Sequence, residues 1–202
     1  MPNGSAESRA PGGLLPVTLL LGGVRSGKSA RAVAMADELA AADGRGGRVL
    51  FAATAQAFDD DMRRRIAAHR SERPAGWETL EAPLELEAAL GRALAEGGPY
   101  AAVVVDCLTL WTSNLVLALD DPAGAEAVAR ERAGRLVDLV RASDPAPRWV
   151  VVSNEVGLGV VPPTPLGRLF RDALGRVNQL VAAAADEVTL MVAGLEVPVR
   201  GR

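Results

Sequence analysis

At 202 residues the chain is long enough for one sizeable α/β domain and too short for a second independent core. A formal net charge of −3, with no basic run interleaved with aromatics, argues against nucleic-acid recognition, and no uninterrupted apolar stretch approaches the roughly 18 residues that a membrane span needs. Cys107 is alone, which excludes an intrachain disulfide and suits a reducing, cytoplasmic compartment.

Residues 1–16 are rich in Gly, Pro, Ser and Ala and are expected to form a flexible leader, leaving 17–202 as a single domain. Val17 to Leu21 is a short apolar, β-prone run, and Ser29 to Ala42 is alanine-rich with apolar residues at helical spacing. Between them stands Gly22-Gly23-Val24-Arg25-Ser26-Gly27-Lys28-Ser29, a complete G-x-x-x-x-G-K-S phosphate loop in the strand-to-helix setting its mechanism requires. In such a loop the backbone N–H groups and the positive helix end cradle phosphates, while the Ser29 hydroxyl ligates Mg²⁺. Lys28 is the one lysine among the 22 Lys and Arg residues. The chain uses arginine wherever a generic positive charge will serve, and keeps a compact ammonium where it must fold over a β/γ-phosphate. The competing explanation is a chance glycine-rich turn with a surface lysine.

Val49 to Ala53 reads as a second strand ending at Thr54-Ala55-Gln56, and Asp59 to Arg73 as a helix with acids first and arginines last, stopped by Pro74. His69, the only histidine, would share a helix face with Arg65 and Arg73, four residues to either side. Flanking guanidiniums favour the neutral, nucleophilic imidazole and could bind the phosphates under attack. By spacing alone, a solvated charged face with a passenger histidine is the commoner explanation.

Trp77 to Glu81 is a short extended piece and Leu84 to Ala95 an amphipathic helix. Ala101 to Asp106 is a continuous apolar run ending in a carboxylate, the form of a strand buried on both faces. There Asp106 either holds Mg²⁺ or its water, or simply marks the strand end. Ala123 to Ala142 is a helix, and Trp149 to Val152 is a second buried strand that exits through Ser153-Asn154-Glu155-Val156-Gly157. Glu155 could position a water or an acceptor hydroxyl, or with Asn154 only cap a turn, and the two readings stand level. Leu166 to Ala185 is a long helix and Glu187 to Val192 the last strand. This alternation predicts a doubly wound, mostly parallel sheet with ligands at the carboxyl ends of its strands, where each of these motifs falls.

The loop Gly22–Ser29, ATAQAFDDDMRRRIAAHRSERPAGWETLEAP from Ala53, VVVDCLTLWTSNL from Val103, and SNEVGLGVVP followed by RLFRDALGRVNQLVAAAADEV together resemble the bifunctional adenosylcobinamide kinase and adenosylcobinamide-phosphate guanylyltransferase family of cobalamin assembly. The likeness runs essentially from Val17 to Val199, and its middle and C-terminal motifs are far more specific than the phosphate loop. It implies a P-loop NTPase (RecA-like) three-layer fold with a mostly parallel central sheet flanked by helices. It further implies that His69, within Arg65-Ile66-Ala67-Ala68-His69-Arg70-Ser71-Glu72-Arg73-Pro74, carries a covalent GMP. By the same carry-over Ala53, Thr54, Ala55, Arg70, Ser71, Glu72, Arg73, Glu81 and Asp106 are nucleotide contacts. Asp61 and Val24 depart mildly from the family's usual glutamate and alanine.

The implied substrates are adenosylcobinamide and adenosylcobinamide phosphate, with ATP or GTP feeding the kinase step, GTP the guanylyl step, and Mg²⁺ held by Ser29 and Asp106. A homo-oligomer, a trimer by resemblance, is expected. The rival readings are a P-loop small-molecule kinase lacking the guanylyl step and a GTP-binding switch protein.

Overall fold

The computed structural model describes residues 15–44, 47–71, 73–143 and 147–201. Its centre is a seven-stranded sheet of β1 (Leu15–Gly22), β2 (Val49–Ala53), β3 (Glu78–Glu81), β4 (Ala102–Asp106), β5 (Arg148–Val152), β6 (Ala185–Val192) and β7 (Leu195–Arg200). The strand order is β3-β2-β4-β5-β1-β6-β7, parallel throughout except for β7, which runs antiparallel to β6. This is the expected three-layer α/β fold. One finding of topology matters for the site: β5 lies between the strand that feeds the phosphate loop and the strand that ends in Asp106.

The helices are α1 (Lys28–Ala42), α2 (Asp60–Ser71), α3 (Leu86–Gly97), α4 (Leu108–Leu117), α5 (Ala125–Ala142) and α6 (Pro165–Ala184). Successive residues of a strand point to opposite faces, so each central strand serves two cores. Leu19, Leu50, Val103, Val105, Trp149 and Val151 pack against α3 to α6, while Leu20, Phe51, Val104, Val150 and Val152 pack against α1. Burial on both faces explains why the central strands read as unbroken apolar runs.

Four expectations change. Leu15 and Pro16 already belong to β1, so the fold begins two residues earlier than expected, and residues 1–14 lie outside the described residues. Helix α2 starts after Asp59, whose carboxylate accepts from Met62 N–H at 2.7 Å as an N-cap, and ends at Ser71. Arg73 lies beyond the end of α2 and is therefore not a helical neighbour of His69. Helix α4 and strand β7 were not foreseen. Helix α4 is buried on most sides, and its Trp111 indole donates to the Leu84 carbonyl at 2.9 Å.

Candidate active site

The phosphate loop closes at the carboxyl end of β1 on backbone conformations that only glycine tolerates well. Gly22 has φ 147°, and a Cβ there would lie 2.4 Å from the Met191 carbonyl oxygen. Gly27 has φ 95° and opens α1, with the Gly194 Cα 3.3 Å from where its Cβ would stand. Gly194 belongs to the two-residue turn Ala193-Gly194, both at positive φ, that joins β6 to β7. Its N–H donates to the Ser26 carbonyl at 3.0 Å, so the hairpin turn braces the loop.

Lys28 is buried, and its ammonium donates to the Gly23 carbonyl at 2.6 Å and to Ser26 Oγ at 3.3 Å. Burial lowers its proton affinity, opposed by the nearby Cys107 and Asp106. Val24, at the loop tip, is exposed, and Arg25 sits in the left-handed region at φ 58°.

Asp106 ends β4 beside this loop. Burial pushes its carboxyl above the usual carboxylate range, while a hydrogen bond from Ser29 and electrostatic interactions with His69, Arg73 and Lys28 pull it back. The same interactions locate the groups: Ser29 touches Asp106, and His69, Arg73 and Lys28 all lie within electrostatic reach of it. Ser29 and Lys28 of the phosphate loop, Arg73 and the His69 imidazole thus all act on the carboxyl that ends β4.

The rest of the expected site is divided. Arg73 lays its guanidinium 3.7 Å above the Phe51 ring centroid, and Phe51 in turn stacks on Trp77. Arg70 approaches the Glu81 carboxylate at 3.9 Å on the surface. Glu72 and the side chain of Arg65 lie outside the described residues.

Thr54 is fully buried and has spent its polar groups within the protein. Its hydroxyl donates to the Cys107 carbonyl at 2.7 Å and accepts from Cys107 N–H at 2.8 Å, its N–H donates to the Asp106 carbonyl, and its own carbonyl accepts from Asn114 Nδ2. Thr54, which the resemblance gives as a nucleotide contact, clasps β2 to the end of β4. Asn114 and Gly194 are supports that sequence reasoning missed. Cys107 has its thiol pushed up to about 11, by burial first and then by the Asp106 charge, so it is a poor nucleophile beside the imidazole.

The strand-end segment after β5 reaches the same edge. Ser153 N–H donates to the Leu20 carbonyl and Glu155 N–H to the Gly22 carbonyl at 3.1 Å, carrying the β1–β5 ladder up to the first glycine of the loop. Ser153 Oγ bonds Asn178 Oδ1 at 2.6 Å, and Asn154 N–H donates to Thr109 Oγ1 at 2.7 Å. Among the described residues no helix is long and apolar enough to cross a membrane.

The arrangement suits chemistry on a nucleoside polyphosphate, and the comparisons with known proteins agree. The family model for cobinamide kinase / cobinamide phosphate guanyltransferase matches residues 18–199. The chain is 47% identical to the bifunctional adenosylcobalamin biosynthesis protein CobP of Pseudomonas aeruginosa, over 91% of this chain and 96% of the relative. It is 42% identical to the bifunctional adenosylcobalamin biosynthesis protein CobU of Salmonella typhimurium, over 90% and 98%. The Escherichia coli protein of that name is 39% identical over the same shares.

Proposed function

The chain belongs to the cobinamide kinase / cobinamide phosphate guanyltransferase family, and from that premise we propose how its own residues divide the two reactions. In the first, a nucleoside triphosphate, ATP or GTP, phosphorylates the aminopropanol hydroxyl of adenosylcobinamide. The loop N–H groups and Lys28 hold the phosphates and stabilise charge on the transferred γ-phosphoryl. In the second, the neutral His69 imidazole attacks the α-phosphate of GTP and pyrophosphate leaves. The GMP then passes from the histidine nitrogen to adenosylcobinamide phosphate, giving adenosylcobinamide-GDP. A covalent intermediate splits one hard displacement into two easier ones.

The observation that supports this reading is Lys28 folded within its phosphate loop beside the β4 end, where Ser29, Arg73 and His69 all act on the Asp106 carboxyl. A kinase alone has no use for an imidazole in that cluster. Ser29 and Asp106 offer hard oxygen donors to Mg²⁺, and a divalent cation would relieve the cost of burying the Asp106 charge. When bound it would neutralise phosphate charge. Arg70, Arg73, Ala53, Ala55 and Glu81 line the nucleotide side in this proposal, with Arg73 acting through a guanidinium oriented by the Phe51 ring.

Residues 17–202 form a single domain in this reading, in a cytoplasmic enzyme. Assembly into a homotrimer fits an edge strand, β7, on which Leu195, Val197 and Val199 are exposed. Light scattering of the purified protein tests that assembly. The test of the chemistry is intact mass after incubation with GTP and Mg²⁺ and no acceptor. One added GMP per chain, with release of pyrophosphate, is expected. A kinase without the guanylyl step or a GTP-binding switch would leave the mass unchanged, because neither attacks the α-phosphate.

A further inference from the structure

We propose that Glu155 is the carboxylate that receives the acceptor hydroxyl in the kinase step. The inference rests on the kinase reading above and adds to it the group that accepts the proton. Strand β5 lies between β1 and β4, and its Val152 is in register with Leu20 on one side and Asp106 on the other. Strands β4 and β5 therefore end level with each other, and β1 runs two residues further, to Gly22. Three residues beyond Val152, the Glu155 N–H donates to the carbonyl of Gly22, the first residue of the phosphate loop. Glu155 thus emerges between the loop that holds the phosphates and the Asp106 carboxylate.

Its placement is built. Ser153 and Asn154, just before it, are pinned to Asn178 and Thr109, and Glu155 Oε1 accepts from Gly157 N–H at 2.5 Å. A carboxylate has about four lone-pair sites, so this one bond orients the group and leaves room for a hydroxyl. Among the described residues, two other acids at this edge are otherwise engaged. Asp106 meets Ser29, and Glu81 ends the outermost strand, β3, beside Arg70.

The step balances. The acceptor oxygen forms a bond to the γ-phosphorus as the bond from that phosphorus to the β,γ-bridging oxygen breaks, and its electron pair leaves with the nucleoside diphosphate. The hydroxyl proton passes to the Glu155 carboxylate and from there to water. Attack on the α-phosphate by a neutral imidazole has no hydroxyl proton to remove, so the guanylyl step does not call on Glu155.

The experiment compares Glu155→Gln with wild type in two assays. One is phosphorylation of adenosylcobinamide by ATP and Mg²⁺, and the other is covalent GMP on His69 followed by transfer to adenosylcobinamide phosphate supplied directly. The glutamine oxygen still accepts from Gly157 N–H, so the turn is kept while the proton acceptor is lost. The expected result is a fall in kcat for phosphorylation of about 10²-fold or more, with the nucleotide KM and guanylyl transfer within about threefold of wild type.

Glu155→Asp, which keeps the charge but draws it back by a methylene, should fall between the two and serves if the glutamine variant is unstable. Wild-type phosphorylation in the folded variants would overturn the proposal. So would an equal loss of both activities, which would make Glu155 a prop for the phosphate loop. If the wild type itself phosphorylates no adenosylcobinamide, the kinase reading fails first and the proposal falls with it.

Discussion

Lys28 is buried, donates to two acceptors and sits in a loop braced by the β6–β7 turn, whereas His69 is exposed on α2, a helix whose described ion pairs lie at the surface. The phosphate loop, the proposed phosphoryl-transfer end, is fixed from several sides by backbone geometry. The proposed nucleotidyl end sits on a helix where His69 is exposed. Damage at the first end should therefore reach both reactions, while damage at the second should reach one.

The sharpest way to break this contrast is His69→Ala. Covalent GMP should fall from one per chain to none, and formation of adenosylcobinamide-GDP should stop, while phosphorylation of adenosylcobinamide continues. Mass spectrometry beside a kinase assay reads both, and GMP uptake by the variant would place the nucleophile elsewhere.

Next in size is Lys28→Arg. A planar guanidinium cannot reproduce a point-charge contact in that cradle, so both activities should drop by about 10²-fold or more. Turnover near wild type would mean that the lone lysine is not needed as such.

Asp106→Asn tests the same end through stability. The fold raises the affinity of this carboxyl for its proton, so between the ordinary and the raised value the native state binds more protons than the unfolded chain. Stability then declines as pH rises through that window, and the ionised carboxylate is a net cost above it. The variant should lose that slope and melt higher than wild type at pH 8 in buffer without Mg²⁺ or nucleotide, yet need more Mg²⁺ for activity. A lower melting temperature would show that Asp106 is held chiefly by favourable contacts.

At the small end, Arg63 pairs with Asp60 on the exposed first turns of α2. Such pairs are worth roughly 0–1 kcal/mol, so Arg63→Ala should change stability by about 0.5 kcal/mol or less in denaturant melts. A larger loss would mean that α2 is anchored more firmly than its contacts suggest.

The central strands were legible in the sequence because burial on both faces writes itself as an unbroken apolar run, as in Val103–Val105 and Trp149–Val152. The phosphate loop was legible for a different reason, since its glycines answer to backbone geometry and not to packing. Helix α4 was not. Buried on most sides, LTLWTSNLVL lacks an amphipathic stripe, and it follows β4 without a turn signal. Strand β7 was missed for the opposite reason, because all six of its residues are exposed and no face carries a burial pattern.

Within the site, residue types could be read but neighbours could not. That Thr54 clasps Cys107, or that Glu155 meets Gly22, depends on strand order, which no local pattern encodes.

The folded-back Lys28 has one more consequence. Its ammonium already rests on the Gly23 carbonyl and the Ser26 hydroxyl, so in the proposed role a triphosphate would gain it by exchange and not by fresh capture. Two neutral oxygens are released and anionic ones take their place, and because charge-assisted bonds are roughly twice as strong, the exchange runs toward the ligand. The loop thus carries its own weak rival. A molecule with too little negative charge at that point would not displace it, and polyphosphates would be sorted from sugars and alcohols before any contact reads the base.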